Sequence, residues 1–261
     1  MKSNIHLMVF TDLDGTLIDH DTYRWDAAQE ALSALGSAAA GVVLASSKTA
    51  AEVGALRAEL GLQQWPAIVE NGAGVLPPHV CDTPDNAPYI ALRRALDKAP
   101  EALRHLFRGF GDATTAEVAE MTGLPLRDAR LAKQRAFSEP GQWSGTDTQK
   151  AEFLIYLQNN DVTAQQGGRF LTLSFGGNKA DQMRKIIAAY QPQHTIALGD
   201  APNDVQMLKT AEFGVVIANP HRPPLPPLKG EATGHIIRTK AAGPSGWNAA
   251  ILDLLKRLEP R

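Results

Sequence analysis

Cysteine is almost absent from this chain. Cys81 is the only one, so no internal disulfide and no cysteine-based zinc site can form, a usage that fits a reducing cytoplasm. An excess of one charge is also missing: 26 Lys and Arg stand against 28 Asp and Glu, for a formal net charge of −2. Without a basic surplus there is no counterion-release drive toward nucleic acid. Long apolar runs are lacking as well. The run Ile5 to Phe10 is broken by His6 and followed at once by acids, which is too short for the core of a signal peptide. Nothing approaches the roughly 20 apolar residues of a membrane span. These absences lead us to expect a soluble, cytoplasmic protein with neither a nucleic-acid nor a membrane partner. The sequence has no internal repeat and no low-complexity tract, and its length of 261 residues at 44% hydrophobic allows one or two globular domains with a sizeable core.

The first part of the chain alternates short apolar runs with helical patterns: strand Ile5–Thr11, helix Arg24–Leu35, strand Val42–Ala45, helix Thr49–Leu60 and strand Ala67–Glu70. Such alternation predicts buried parallel strands with crossover helices. Val53, Leu56 and Leu60 form one apolar stripe, and Gly61 ends that helix. From about Pro77 the texture changes. Pro77, Pro78, Pro84 and Pro88 cluster, then helices Ala91–Ala99, Thr115–Met121, Leu126–Lys133 and Thr148–Asn159 precede a β-hairpin, Val162–Gln166 and Arg169–Ser174, joined by Gly167 and Gly168. From Lys179 the α/β texture resumes with helix Ala180–Tyr190, strand Thr195–Leu198, helix Asn203–Ala211, strand Phe213–Ile217 and a last helix near Ala249–Leu258. The prolines between Pro220 and Pro227 predict an extended connection. The two switches of texture imply an α/β core, residues 1–78 and 175–261, with an α+β domain, residues 79–174, inserted as a lid.

Asp12 and Asp14 follow the first strand directly, so both leave at its carboxyl end, the ligand side of an open α/β sheet. Residues two apart in extended chain project the same way, which sets two carboxylates over one point. Gly199-Asp200-Ala201-Pro202-Asn203-Asp204 follows a later strand and brings two more acids to the same edge. Alone, the first pair could be an Asx turn and Asp204 a helix-capping acid. Together, four converging carboxylates call for a divalent cation, and hard oxygen ligands select Mg2+ over zinc. Ser46 closes the second strand, with Ser47 and Lys48 after it; that stretch can hold an anion or simply cap a helix. Lys179 opens a helix, where its charge opposes the dipole, which suggests either an acidic partner or a solvated position on the helix face.

The series Asp12-x-Asp14-Gly15-Thr16, Ser46, Lys179 and Gly199-Asp200-x-x-Asn203-Asp204 resembles the four signatures of the haloacid dehalogenase superfamily. The resemblance implies a Rossmann-like parallel sheet with an inserted α+β cap of the family's second type. It also implies that Asp12 is the nucleophile, Asp14 the general acid and then base, and Ser46 with Lys179 the phosphate clamp. Asp12, Asp14 through its carbonyl, and Asp200 become the Mg2+ ligands, supported by Asp204 through water or Asn203. An acid at position 14 points to ester hydrolysis, since the family's dehalogenases lack it and its cation-pumping ATPases carry threonine there.

A narrower set, Ser46-Ser47-Lys48-Thr49-Ala50-Ala51-Glu52-Val53, Glu70-Asn71-Gly72, Arg135 with Ser138-Glu139-Pro140, Gly167-Gly168-Arg169-Phe170, and Gly243-Pro244 with Gly246-Trp247-Asn248, resembles the mannosyl-3-phosphoglycerate phosphatases. This implies a substrate bearing phosphate, carboxylate and sugar, with Ser47, Lys48, Asn71, Arg135, Ser138, Arg169 and Asn203 as expected substrate contacts. Arg135 and Arg169 would pair the carboxylate in fork geometry. Sugar phosphatases of broader taste, including those acting on glucosyl-3-phosphoglycerate or sucrose phosphate, and phosphomannomutase share such lids and remain alternatives.

Other patterns carry less. The seven histidines show no HExxH or paired spacing and read as ordinary polar or core residues. Gly243-Pro244-Ser245-Gly246 is not a nucleophile elbow, no Walker loop surrounds Lys179, and no GxGxxG follows a strand, so ATP and NAD are not expected. Leu252, Leu255 and Leu258 read as a docking stripe.

Overall fold

The structure is a computed structural model that describes residues 5–80, 85–167 and 169–258. Cys81, Pro84 and Gly168 lie outside these residues. Its contacts gather into two compact units, one of residues 1–46, 64–68 and 178–261, the other of residues 47–63 and 69–177. Residues 47–63 and 69–78, read from the sequence as core, are thus gathered with the inserted unit. The reason is visible locally. Thr49 donates through Oγ1 to the Leu131 carbonyl (3.0 Å), and the buried Arg57 guanidinium binds the carbonyls of Pro77 (2.9 Å) and Val80.

The first unit is built on five parallel strands in the order Ile236–Ala242, Phe213–Ala218, His194–Gly199, Leu7–Thr11, Gly41–Leu44. The interior strand Leu7–Thr11, flanked by His194–Gly199 and Gly41–Leu44, is buried along its whole length, as a parallel strand covered on both faces must be. Side chains alternate between the faces. Met8, Phe10, Val43, Ala197 and Val216 pack with Met183 and Ile186 of helix Lys179–Tyr190 and with Met207 and Leu208 of helix Val205–Thr210. Thr11 points the other way and accepts a hydrogen bond from Nε1 of the fully buried Trp247 (3.0 Å). Trp247 belongs to the helix Gly243–Leu258, against which helix Gln29–Ser37 is tied by Ala31 N–H donating to Asn248 Oδ1 (2.8 Å).

Several sequence expectations change in detail. The last helix begins at Gly243, not near Ala249. Pro244 sits in its first turn, where the missing N–H has no intrahelical partner to lose. The expected helix Arg24–Leu35 is a single 3-10 turn, Asp26–Ala28, followed by Gln29–Ser37. Helix Asn203–Ala211 is likewise a 3-10 turn, Pro202–Asp204, and then Val205–Thr210. Strand Ile236–Ala242 was not expected, because only Ile236 on it is buried and alternating charge blurs its pattern.

The second unit has a four-stranded antiparallel sheet, ordered Phe107–Gly109, Ser138–Trp143, Phe170–Ser174, Thr163–Gly167. The hairpin read from the sequence is its last pair. Strand Ser138–Trp143 had been hidden by Pro140 and Gly141. Helices Ala87–Asp97 and Asp147–Gln158 pack on this sheet around Leu92, Leu96, Phe107, Phe153 and Leu173. Helices Thr115–Thr122 and Leu126–Ala132 surround a smaller cluster with Phe110 and Val118. Among the described residues no helix is long and apolar enough to cross a membrane.

Candidate active site

The first unit brings its acids together at one sheet edge. The ladder continues past the strand ends: Asp12 N–H donates to the Leu198 carbonyl (2.9 Å) and Ala45 N–H to the Thr11 carbonyl (2.8 Å). Asp12, Ser46 and Gly199-Asp200 therefore leave the sheet at neighbouring points of its carboxyl edge, where parallel α/β sheets place their ligands. Ser46 is fully buried and is held through its N–H by the Ile68 carbonyl (2.9 Å).

Lys179 has the acidic partners that its position at a helix start suggested. Its Nζ, 1% exposed, donates to Asp12 Oδ1 (2.5 Å) and Asp204 Oδ1 (2.7 Å). Burial would strip a proton from this ammonium, but the carboxylates of Asp12 and Asp204 hold it there and raise its pKa above the ordinary lysine value. Asp12 moves in the same direction. Burial, with the charges of Asp204 and Asp200, keeps its carboxyl well above the usual carboxylate range despite the opposing pull of Lys179.

Asp204 is not a plain helix cap. Its Oδ2 accepts the N–H groups of Asp200 (3.2 Å) and Ala201 (3.0 Å), which closes the loop after the strand, while Oδ1 serves Lys179. Gly199 makes room for this arrangement: a Cβ there would lie 2.5 Å from the Cβ of Asp204. Asp200 is held from three sides. Thr16 Oγ1 donates to its Oδ1 (3.0 Å), Asn219 Nδ2 to its Oδ2 (2.7 Å), and the half-exposed Arg222 approaches Oδ2 through Nε (3.1 Å). Gly15 has φ +79°, and a Cβ there would sit 2.5 Å from Asn219 Nδ2, so the turn after Asp14 needs glycine twice over.

Asn219 and Arg222 were missed in the sequence. Asn219 directly follows strand Phe213–Ala218, the same strand-end rule that found Asp200. The prolines after it drew attention instead to backbone conformation. Arg222 lines a cavity of about 370 Å³ with Asp200, Asn219, Leu225 and Lys240.

Asn203 lies within the first unit, on the 3-10 turn between Asp200 and Asp204. Ser47, Lys48, Asn71, Arg135, Ser138 and Arg169 belong to the second unit. Four of these residues are tied to one knot around Glu70. Its carboxylate accepts the N–H groups of Ala136 (2.9 Å), Phe137 (3.2 Å) and Ser138 (2.7 Å) and the Ser138 hydroxyl (2.7 Å). Arg135 Nε lies 3.2 Å from Glu70 Oε2, and its guanidinium also donates to Ser138 Oγ (2.7 Å) and to the Ser47 carbonyl (3.4 Å). Glu70 N–H donates to the Lys48 carbonyl (2.9 Å). Glu70 and Asn71 both have left-handed φ, 51° and 59°, a costly pair for side-chain-bearing residues that this bonding over-determines. Arg169 stands apart, donating to the Thr122 carbonyl (2.9 Å) beside the Phe170 ring.

The acids suit a hard divalent cation. Asp12, Asp200 and Asp204 each place a carboxylate oxygen within 4.8 Å of the others, all buried, and Lys179 and Arg222 oppose their charge. Asp14, also expected as a ligand through its carbonyl, is not part of that carboxylate trio. It leaves the same strand end two residues beyond Asp12.

A family model described as haloacid dehalogenase-like hydrolase matches residues 9–90 and 141–224. Similar solved structures include a phosphatase of the haloalkanoate superfamily, BT1666 from Bacteroides thetaiotaomicron, with TM-score 0.66 and 18% identity over 98% of this chain and 96% of that one. The sucrose-phosphatase of Synechocystis sp. PCC6803, solved with sucrose and phosphate, gives TM-score 0.60 and 16% identity over 98% of both chains. The subclass IIB sugar phosphatase BT4131 gives TM-score 0.63 and 17% identity over 95% of this chain and 98% of that one. At such identities the likeness is one of fold.

Proposed function

Because the chain belongs to the haloacid dehalogenase-like hydrolases, we propose that it is a Mg2+-dependent phosphomonoesterase with Asp12 as nucleophile, acting on mannosyl-3-phosphoglycerate. The observation that carries the reading is the buried knot of Asp12, Asp200, Asp204 and Lys179 at the carboxyl edge of the sheet. A carboxylate oxygen of Asp12 attacks phosphorus in line, and the bond from phosphorus to the ester oxygen breaks. Asp14 gives its proton to the departing alkoxide. It then takes one from water, which attacks the aspartyl phosphate, frees inorganic phosphate and restores Asp12. Lys179 keeps its proton through both steps and, with Ser46, binds the phosphoryl oxygens. Asp12, Asp200 and the Asp14 carbonyl, with Asp204 in support, would hold a Mg2+ ion, which would supply positive charge against the phosphoryl group and favour the ionised form of Asp12. In this reading the segment 79–174, which falls within the second unit, is the cap that selects the substrate.

The substrate choice rests on the resemblance of the segments around Ser46, Glu70, Arg135 and Arg169, with Arg135 and Arg169 reading the glycerate carboxylate. One observation favours a broader sugar-phosphate phosphatase as a second reading. Arg135 already shares its charge with Glu70, and Arg169 already donates to the Thr122 carbonyl. Phosphate release with Mg2+ from a panel of mannosyl- and glucosyl-3-phosphoglycerate, sucrose phosphate and simple sugar phosphates separates the two, with Asp12→Asn protein as the blank. Strong preference for mannosyl-3-phosphoglycerate is expected. Equal turnover across the panel selects the broader reading, and isomerised sugar phosphate without phosphate release would mark a mutase instead.

A further inference from the structure

A second cluster of ligating groups lies on the surface of the first unit, built from residues that the sequence holds far apart. His20 and His221 stack with ring centroids 4.3 Å apart at 25°, and His221 Nε2 is 3.4 Å from Asp21 Oδ2. Each of the three residues offers one ligand atom within 4.8 Å of the others, and all three are exposed.

Both segments that carry them are held in place. The Asp19 carboxylate accepts the N–H groups of Asp21 (3.2 Å) and Thr22 (2.9 Å) and the Thr22 hydroxyl (2.8 Å), which fixes the turn bearing His20 and Asp21. These bonds pull the Asp19 carboxyl below its ordinary value, with a smaller contribution from His221, so it stays ionised as an anchor. On the other side, His221 N–H donates to Asn219 Oδ1 (2.9 Å), and Pro220 and Pro223 restrict the backbone around it. The segment divides its side chains: Asn219 and Arg222 bind Asp200, whereas His221 faces His20 and Asp21.

We propose that His20, Asp21 and His221 form a binding site for a zinc-class transition-metal ion, separate from the buried acid trio. Two imidazoles and one carboxylate are the donor set that borderline metals prefer over Mg2+. Zinc bonds to nitrogen and carboxylate oxygen near 2.0–2.2 Å place neighbouring ligand atoms about 3.4 Å apart in a tetrahedron, the separation that His221 and Asp21 already have. The stacked imidazoles of His20 and His221 have to turn out of parallel for both ring nitrogens to face one ion, and His20 lies on an exposed turn that leaves it room to do so. Three protein ligands leave the fourth position to water or to a donor from outside.

The test uses tag-free, chelator-stripped protein saturated with Mg2+, titrated at neutral pH with Co2+ as a spectroscopic probe and then with Zn2+ in competition with a chromophoric chelator. The wild type and an Asp12→Asn/Asp200→Asn variant are expected to bind one Co2+ with the visible band of a tetrahedral ion, displaced by Zn2+. His20→Ala and His221→Ala should each lose about tenfold or more in affinity, and Asp21→Asn should weaken binding less. Thermal melts of the metal-free variants check that the fold is kept, which exposed positions favour. The site is overturned if the histidine variants bind as the wild type does, if binding disappears only in the acid variant, or if the wild type takes up no ion beyond Mg2+.

Discussion

The ammonium of Lys179 lies 2.5 Å from Oδ1 of Asp12, and both groups are withdrawn from water. The two members of this pair carry opposite consequences for stability. Lys179 offsets two carboxylates at once, so Lys179→Met leaves Asp12 and Asp204 as like charges in a buried site. Metal-free protein of that variant should lose about 3–5 kcal/mol by chemical denaturation. Asp12→Asn removes one charge from a group of three acids while Lys179 keeps Asp204. Its melting temperature without metal at neutral pH should rise by about 3 °C per kcal/mol gained, while phosphate release falls by about 10⁴-fold or more. A destabilised Asp12→Asn protein would contradict the charge assignment, and an active one the nucleophile.

The raised pKa of Asp12 also sets a pH dependence. A carboxyl whose folded pKa is raised takes up a proton on folding. Its contribution therefore favours the folded state at low pH and is lost as pH rises through the raised value. Attack on phosphorus needs the ionised form, so kcat/KM should fall as pH drops through that value. A cation beside Asp12 opposes protonation, and the acid limb should move to lower pH as Mg2+ is raised. Profiles at two Mg2+ concentrations measure the shift, and a limb that stays in place would assign it to another group.

How much of this was legible in the sequence follows from the range over which each feature is encoded. Asp12, Asp14, Ser46 and Asp200 could be placed at one edge because each follows an apolar run, and a parallel sheet delivers strand ends to the same side. Lys179 was legible as a charge in the wrong place on a helix. The role of Glu70 was not: nothing local marks a glutamate whose partners, residues 136–138, lie well over sixty positions away. The pairing of His20 with His221 was hidden for the same reason, since neither has a histidine at ligand spacing in its own segment. Strand Ser138–Trp143 was obscured because Pro140 and Gly141 are poor strand formers that tertiary pairing overrides.

Gly199 tests whether the loop behind the acids is built as tightly as it looks. Its missing side chain leaves room for Asp204, whose Cβ and Cγ would stand 2.5 and 2.6 Å from an added Cβ. Gly199→Ala must push Asp204 away from the N–H groups of Asp200 and Ala201 and from Lys179. We expect a loss of about 1–3 kcal/mol in stability and weaker Mg2+ binding by calorimetry. Unchanged Mg2+ affinity would show that Asp204 does not support the ion.

Arg222 occupies one side of the Asp200 carboxylate, 3.1 Å from Oδ2, with its own side chain 36% exposed. It balances Asp200 in the absence of a cation and repels an arriving one. Arg222→Gln should therefore tighten Mg2+ binding at low ionic strength, by a factor of about 5, with the advantage fading as salt screens the half-exposed charge. Weaker Mg2+ binding in the variant would instead make Arg222 a support that orients Asp200.

Glu70 is buried, accepts three N–H groups and the Ser138 hydroxyl, and faces Arg135. Glu70→Gln keeps the shape but removes the charge, turns a donor toward backbone N–H groups and leaves the buried Arg135 without its counter-ion. Stability should fall by about 3 kcal/mol in urea. If Arg135 reads a substrate carboxylate, its released charge should also lower KM for a phosphoglycerate ester relative to an aryl phosphate that has no carboxylate, as the competing anion is gone. If Arg135 is only a strut, both KM values should move together. The ratio of the two KM values in Glu70→Gln, compared with the wild type, decides between a guanidinium held for a ligand and one held for the fold.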